Sequence, residues 1–182
     1  FIYIYIYIYI MFNRIRLFIR QPFTETRSKN ELNKVFSIID NYKKYPLEIL
    51  PYKSAGESSD FKSIFEKNTN IKFTPQNFRN YRLDNIRQSN SMLIIRNNMS
   101  ESTAFELGYI YSKYPDLPIF FAVNNNIKIK TTLLQNLHPN VNYCFYDNPD
   151  DMKIRFYNWL DNVAEINNVK RKGSSHKTEH LF

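Results

Sequence analysis

The sequence contains little cysteine and little glycine. Its 182 residues include one cysteine, Cys144, and three glycines. One cysteine cannot pair within the chain, which excludes a disulfide framework, and a CxxC redox site would need a second cysteine nearby. Three widely spaced glycines exclude a GxGxxG fingerprint and a Walker loop. The three histidines are too dispersed for a metal site, so we expect no metal and no cofactor.

Acidic residues are outnumbered by basic ones. The 25 lysines and arginines exceed the 17 aspartates and glutamates and give a net charge of +8. Part of the excess is a short run from Lys170 to Lys172, and much of the rest is scattered along the chain. A run of this length is typical of a solvated tail or of a binding arm. A nucleic-acid-binding domain, which the charge alone indicates, is the less favoured interpretation.

The N-terminal segment FIYIYIYIYI, residues 1–10, alternates isoleucine with an aromatic residue. A transmembrane helix needs about 20 apolar residues. A signal peptide has basic residues before its apolar run, and this segment has none. We therefore expect no membrane association and a reducing, cytoplasmic location. The expected organisation is a low-complexity extension at 1–10, a single α/β domain at 11–168 and a basic flexible tail at 169–182.

From Met11 onward, short apolar runs alternate with segments of helical periodicity. This alternation predicts a five-stranded, doubly wound α/β domain of flavodoxin-like strand order, with a parallel sheet and helices on both faces. Ligands of such domains bind beyond the carboxyl ends of the strands, at the topological switch point. The predicted strands cover residues 14–19, 47–50, 91–96, 118–123 and 141–146. Helices are predicted at 30–44, 61–65, 75–89, 100–114, 131–137 and 147–168.

The last helix has the most regular apolar stripe, and we interpret this stripe as core rather than as a cofactor site. Its predicted core residues are Met152, Phe156, Trp159, Leu160, Val163 and Ile166.

The loop after the third strand leads into a helix with hydroxyl and acidic residues at its start. Ser100 or Ser102 can cap this helix, and the backbone N–H groups of its first turn offer a site for an anion. Glu101 and Glu106 lie in or near the first turns, where the helix dipole stabilises an ionised carboxylate by about 0.3 to 1 kcal/mol. On spacing alone, acidic residues at a helix start are more often typical of helix stabilisation than of catalysis.

The segment FELGYIYSKYPDLPIFFAV resembles the motif of nucleoside 2-deoxyribosyltransferases and the related nucleotide N-glycoside hydrolases. The preceding segment RLDNIRQSNSMLII is similar to the helix that enters the buried strand in that family, so the resemblance covers residues 82–123. It implies cleavage or transfer at the N-glycosidic bond of a small-molecule nucleoside or nucleotide. Glu106 matches the nucleophile, Gly108 the glycine of the motif and Ser100 a serine that binds phosphate. A homodimer is also implied.

The chain departs from this family pattern at several positions. The catalytic aspartate of the preceding helix falls on Arg82, and only a shift of two residues would let Asp84 replace it. The aspartate before the central strand is Asn90 here, and the glycine-rich first loop is replaced by RQPFTET.

Cleavage of an N-glycosidic bond passes through an oxocarbenium-like transition state, which a carboxylate such as Glu106 can stabilise or trap covalently. A second acid would protonate the departing base, and the sequence leaves Asp84, Glu101 and Asp60 as candidates. Side chains that could neutralise a phosphate are Arg20, Arg82, Arg87 and Arg96, and those that could stack on a base are Phe23 and Tyr109. The alternative is a non-catalytic module that binds or senses a nucleotide, in which Glu106 only accepts a hydrogen bond from a ribose hydroxyl.

Overall fold

The computed structural model describes residues 13–20, 26–51, 61–96, 101–127, 137 and 140–171. The strands are β1 (Ile15–Arg20), β2 (Leu47–Leu50), β3 (Ser91–Arg96), β4 (Ile119–Asn124) and β5 (Val141–Tyr146). The helices are α1 (Thr26–Asn41), α2 (Phe61–Thr69), α3 (Pro75–Gln88), α4 (Glu101–Lys113) and α5 (Lys153–Ile166), and a short 3-10 helix (Pro149–Met152) leads into α5.

The five strands form one parallel sheet in the order β2-β1-β3-β4-β5. This is the flavodoxin-like order, and it confirms the predicted fold class. The chain passes from β1 to β2 on one side of β1 and then crosses to β3 on its other side. The topological switch point therefore lies between the carboxyl ends of β1 and β3.

Helices cover both faces of the sheet. Every residue of β1 and β3 is buried, as expected for strands with a layer on each face. Leu17 belongs to the core cluster that includes α1 and α5, whereas its neighbour Phe18 belongs to the cluster that includes α3 and α4. Successive side chains of a strand point to opposite faces, so alternate residues of β1 supply the two core layers.

Polar side chains mark the start of two helices. Thr74 accepts a hydrogen bond from the backbone N–H of Asn77 at 3.0 Å, and Pro75 occupies the first turn of α3. Asn148 and Asp151 form a reciprocal capping box at the 3-10 helix that precedes α5. These are the residue types that satisfy the free N–H groups of a helix start.

The predicted bounds of β2, β3 and β5 are confirmed, but β1 and β4 each lie one residue later than predicted. Arg20 pairs with Ile94, and Asn124 pairs with Tyr146, so each ladder continues to a polar residue at the carboxyl end. The helix predicted at 131–137 lies outside the described residues, apart from Leu137.

The core prediction for the last helix was wrong at Ile166, which is 69% exposed. The other five residues of the predicted stripe are buried. Helix α5 ends at Ile166, and the chain then turns through Asn168, whose φ is 53°. This turn brings Val169 into the core instead, where it is buried. The division between domain and tail at residue 169 remains a prediction.

The first and last described segments meet at the amino edge of the sheet. The backbone N–H of Lys170 donates a hydrogen bond to the side-chain oxygen of Asn13 at 2.9 Å. Within the part of the chain that the structure describes, no helix is both long and apolar enough to span a bilayer.

Gly108 lies on the exposed side of α4, and a Cβ atom added there would meet no atom within 4 Å. Glycine in a helix interior is about 1 kcal/mol less favourable than alanine. We expect Gly108→Ala to raise the melting temperature by about 2–4 °C, measured by thermal unfolding. A lower melting temperature would show that this position needs glycine for a reason other than helix packing.

Candidate functional site

The switch point carries two buried arginines. Arg20 is the last residue of β1 and Arg96 is the last residue of β3. Both are buried, and both follow the alternation that places Phe18 and Ile94 on the sheet face covered by α3 and α4. The crevice at this edge is therefore positively charged on that face.

Glu106 lies beside these strands on α4 and is 4% exposed. Arg82 of α3 binds its carboxylate with two hydrogen bonds, from Nε to Oε1 at 2.8 Å and from Nη2 to Oε2 at 3.2 Å. Nε of Arg20 lies 3.3 Å from Oε2. A carboxylate that is buried between two guanidinium groups is held in one orientation by charge-assisted hydrogen bonds.

Both arginines are themselves held in place. The guanidinium of Arg82 lies over the ring of Phe18, with Cζ 4.4 Å from the ring centroid. Nε of Arg20 donates a hydrogen bond to the hydroxyl of Thr103 at 3.2 Å. Burial lowers the pKa of Arg20, and nearby Glu106 opposes this shift by stabilising the charged form. The cluster of Arg20, Arg82 and Glu106 is thus a packed unit.

The two carboxylate oxygens of Glu106 differ in the number of arginines that they contact. Oε2 contacts both Arg20 and Arg82, whereas among the described residues Oε1 contacts Arg82 alone. An ionised carboxylate oxygen can accept two hydrogen bonds. Oε1 therefore retains one acceptor position for a group outside the cluster.

A pocket of about 300 Å³ lies between α3 and the first turns of α4. This volume is at the lower end of the range for small-molecule sites. Glu106 and Arg82 form part of its wall, and Glu101 brings a second carboxylate into the same space. The other lining residues are Phe78, Arg79, Leu83, Ser102 and Phe105. Two carboxylates, a hydroxyl and two aromatic rings thus face one pocket.

The structure brings several of the predicted site residues together and separates others. Glu106, Arg82 and Ser102 line the pocket, and Arg20 contacts Glu106 without lining the pocket. Arg96 lies at the same edge but does not line this pocket. Ser100, Phe23 and Asp60 lie outside the described residues.

Asp84 does not reach the site. Its side chain is 54% exposed and forms an ion pair with Arg87 at 3.1 Å. Asp84 lies two positions after Arg82 on α3, which is more than half a turn around the helix, so the side that carries Arg82 faces away from it. Asp84 is therefore not placed to act as an acid together with Glu106. Tyr109 packs on Tyr114, with ring centroids 5.8 Å apart, and is not a lining residue either.

The contacts of Arg20 and Arg82 with Glu106 were not predicted, because both arginines were interpreted as phosphate ligands. One signal was present: both arginines stand among apolar residues that the helical and strand periods place in the core. A buried arginine is most stable when a carboxylate pairs with it, and Glu106 is the carboxylate that α4 buries. Phe78 and Phe105 of the pocket wall had no distinguishing signal, because the chain contains 15 phenylalanines.

Metal ligands do not gather in the described residues. Among them, no group of three or more His, Cys, Asp or Glu side chains is arranged to hold a metal ion.

No protein-family model matches the chain, and no curated protein matches it. Among solved structures, the lysine decarboxylase LdcF of Francisella novicida is similar at 16% identity, with a TM-score of 0.42. The matched region covers 83% of this chain and 17% of the decarboxylase chain, so this chain spans about a sixth of that protein. A similarity of this extent assigns neither a family nor an activity.

Proposed function

We propose that this chain cleaves the N-glycosidic bond of a nucleoside or nucleotide in the pocket between α3 and α4. The observation that carries the proposal is the position of Glu106 in the wall of the pocket. Its carboxylate is buried and fixed by two arginines, and its Oε1 retains one open acceptor position. A resemblance of residues 82–123 to nucleoside deoxyribosyltransferases supports the same activity.

Glu106 would act on the sugar. As the bond between the anomeric carbon and the base nitrogen breaks, its electron pair moves to the base and positive charge develops on the sugar. The fixed negative charge of Glu106 stabilises that cation without rearrangement, or Oε1 bonds to the carbon. A water molecule or an acceptor base then takes the sugar, which makes the reaction hydrolysis or transfer.

Glu101 would act on the base. It is the second carboxylate of the pocket, and it begins the helix that also carries Glu106. Five positions along an α-helix correspond to about 7.5 Å of rise, which leaves room for a substrate between the two side chains. The departing nitrogen needs a proton, and we assign its delivery to Glu101.

The test follows release of free base by chromatography after incubation of the protein with a panel of nucleosides and nucleotides. We expect wild-type protein to release base and Glu101→Gln to reduce the rate by at least about 10²-fold, because the glutamine cannot deliver a proton. Glu165→Gln, an exposed position on α5 at the opposite sheet face, is the matched control and should retain the wild-type rate. Equal rates for the two variants would contradict the role of Glu101.

One observation favours a non-catalytic alternative. The guanidinium contacts on Glu106 draw charge from the carboxylate and make it a weaker nucleophile than a free one. In that case the pocket would hold a nucleotide as a signal, and Oε1 would accept a hydrogen bond from a ribose hydroxyl. Calorimetry that shows saturable nucleotide binding, with no free base after prolonged incubation, would establish this alternative and contradict cleavage.

A further inference from the structure

Arg79 is an exposed arginine in the wall of the pocket between α3 and α4. It precedes Arg82 by three positions, so the two side chains are neighbours on one side of α3. The carboxylate of Glu106 and the ring of Phe18 hold Arg82 in place. Arg79 lies nearly one turn nearer to the start of α3. The pocket therefore has a second guanidinium, which a ligand can reach from solvent.

The two helices of the pocket run in the same direction. Helix α3 leads into the amino end of β3 and α4 follows its carboxyl end, so both helices begin at the carboxyl edge of the sheet. The bond between Arg82 and Glu106 places these two residues at one level of the pocket. One turn nearer to the carboxyl edge, about 6 Å along each helix, lie Phe78 and Ser102. A sugar bound at Glu106 therefore extends its base toward the level of Phe78 and Arg79.

Two aromatic rings belong to this part of the pocket. Phe78 is held by three other rings, with centroids 5.6–5.7 Å away, which are those of Phe61, Phe65 and Phe73. Phe105 lines the pocket from α4 and is 53% exposed. Aromatic side chains bind the flat face of a nucleobase by stacking. The rings of Phe78 and Phe105 thus suit a base whose edge is turned toward Arg79.

We propose that Arg79 donates hydrogen bonds to O6 and N7 of a purine base, so that the pocket prefers 6-oxopurine nucleosides to 6-aminopurine nucleosides. This inference rests on the proposed function for the position of the sugar at Glu106. A guanidinium only donates hydrogen bonds, and a 6-oxopurine presents two neighbouring acceptors, its O6 and its N7. Adenine carries an amino donor in place of O6, so one N–H group of Arg79 would face another donor.

The same contact assists the reaction. When the bond between the anomeric carbon and N9 breaks, the electron pair stays with the base and spreads through its rings onto O6. The positive charge of Arg79 stabilises this negative charge, and the proton from Glu101 then neutralises the base. In hydrolysis, a water molecule gives its hydroxyl to the anomeric carbon and returns its proton to Glu101. Arg79 thus determines specificity through both binding and rate.

The first experiment measures the binding of two free bases, hypoxanthine and adenine, by calorimetry. The two bases differ at position 6 and in the proton on the neighbouring N1, and neither has a bond to be cleaved. We expect wild-type protein to bind hypoxanthine about 10- to 100-fold more tightly, the discrimination that one paired guanidinium contact provides. Arg79→Met should bind both bases with nearly equal Kd values, and Arg79→Lys should keep part of the preference.

Arg155→Met is the matched control, because it removes the same charge at the opposite face of the sheet. Arg155 is exposed on α5 and donates a hydrogen bond to the backbone oxygen of Tyr143 at 3.0 Å. This variant should keep the wild-type preference, and thermal unfolding verifies that both variants are folded. The inference is overturned if wild-type protein binds neither base or binds both equally, or if Arg79→Met keeps the preference for hypoxanthine.

The second experiment compares base release from inosine and adenosine, which carry these two bases. We expect kcat/KM of wild-type protein to be about 10- to 100-fold higher for inosine, and Arg79→Met to lose this difference. Binding of hypoxanthine that depends on Arg79, without base release from either nucleoside, would support this specificity and contradict the proposed function. Base release at equal rates from inosine and adenosine would overturn the inference and leave the proposed function intact.

Discussion

Replacing Glu106 by glutamine is expected to lower the free energy of unfolding by about 3–5 kcal/mol, the usual cost of removing one partner from a buried ion pair. The substitution leaves the guanidinium groups of Arg20 and Arg82 buried, close together and without their carboxylate. Urea denaturation measures the change. Glu165→Gln, at an exposed position, should stay within about 0.5 kcal/mol of wild-type protein.

A second substitution tests whether uncompensated positive charge causes the loss of stability in Glu106→Gln. In the Glu106→Gln background, Arg82→Met removes one of the two uncompensated cations and should restore part of the lost stability. A double-mutant cycle then gives the coupling between the two residues. If Glu106→Gln is as stable as wild-type protein, the cluster of Arg20, Arg82 and Glu106 is not a packed ionic unit.

The single variant Glu106→Gln also tests the role of Glu106 in base release. In the fraction of Glu106→Gln that remains folded, base release should fall by at least about 10³-fold, because the neutral amide neither stabilises the sugar cation nor bonds to it. The folded fraction is determined by circular dichroism under the assay conditions, which separates loss of chemistry from loss of structure. An unchanged rate per folded molecule would reject the role of Glu106.

Phe65→Ala is expected to destabilise the protein by about 3–5 kcal/mol through the cavity that it leaves. Phe65 of α2 is fully buried and packs edge to face on Phe73, Phe78 and Tyr81, with ring centroids 5.4–5.9 Å away. Phe78 is also a wall of the pocket. The melting temperature should fall by about 6–20 °C.

The substitution should also weaken ligand binding in the pocket, because Phe78 loses one of the three rings that pack on it. Phe145→Ala on β5 is the control, since Phe145 is exposed and belongs to neither core cluster. If both variants melt at the same temperature, the aromatic group around Phe65 contributes little to the fold.

The sheet could be predicted from the sequence because its strands and helices each have a local pattern of apolar residues. The buried strands appear as short apolar runs, and Leu32, Val35, Phe36, Ile39 and Tyr42 are buried at the helical spacing that predicted α1. The core prediction was wrong at Ile166, at the end of α5. The helical periodicity of apolar residues does not indicate where a helix ends or which residue takes the next core position.

The position of Glu106 near the switch point follows from the same patterns, but its partners do not. Arg82 precedes Glu106 by 24 residues, and the bond between Arg20 and Thr103 spans 83 residues. Such contacts depend on which elements become neighbours and on side-chain direction after folding. The exposure of Asp84, likewise, depends on which side of α3 packs on the sheet.

The hydrogen bond between Lys170 and Asn13 has a consequence for how this domain can be joined to other chains. In a parallel α/β sheet, ligands bind at the carboxyl ends of the strands, and the amino ends of the strands lie on the opposite side. Both ends of the described domain emerge on this opposite side. A protein fused before residue 13 or after residue 171 would therefore join the domain at the amino ends of the strands, on the side opposite the switch point.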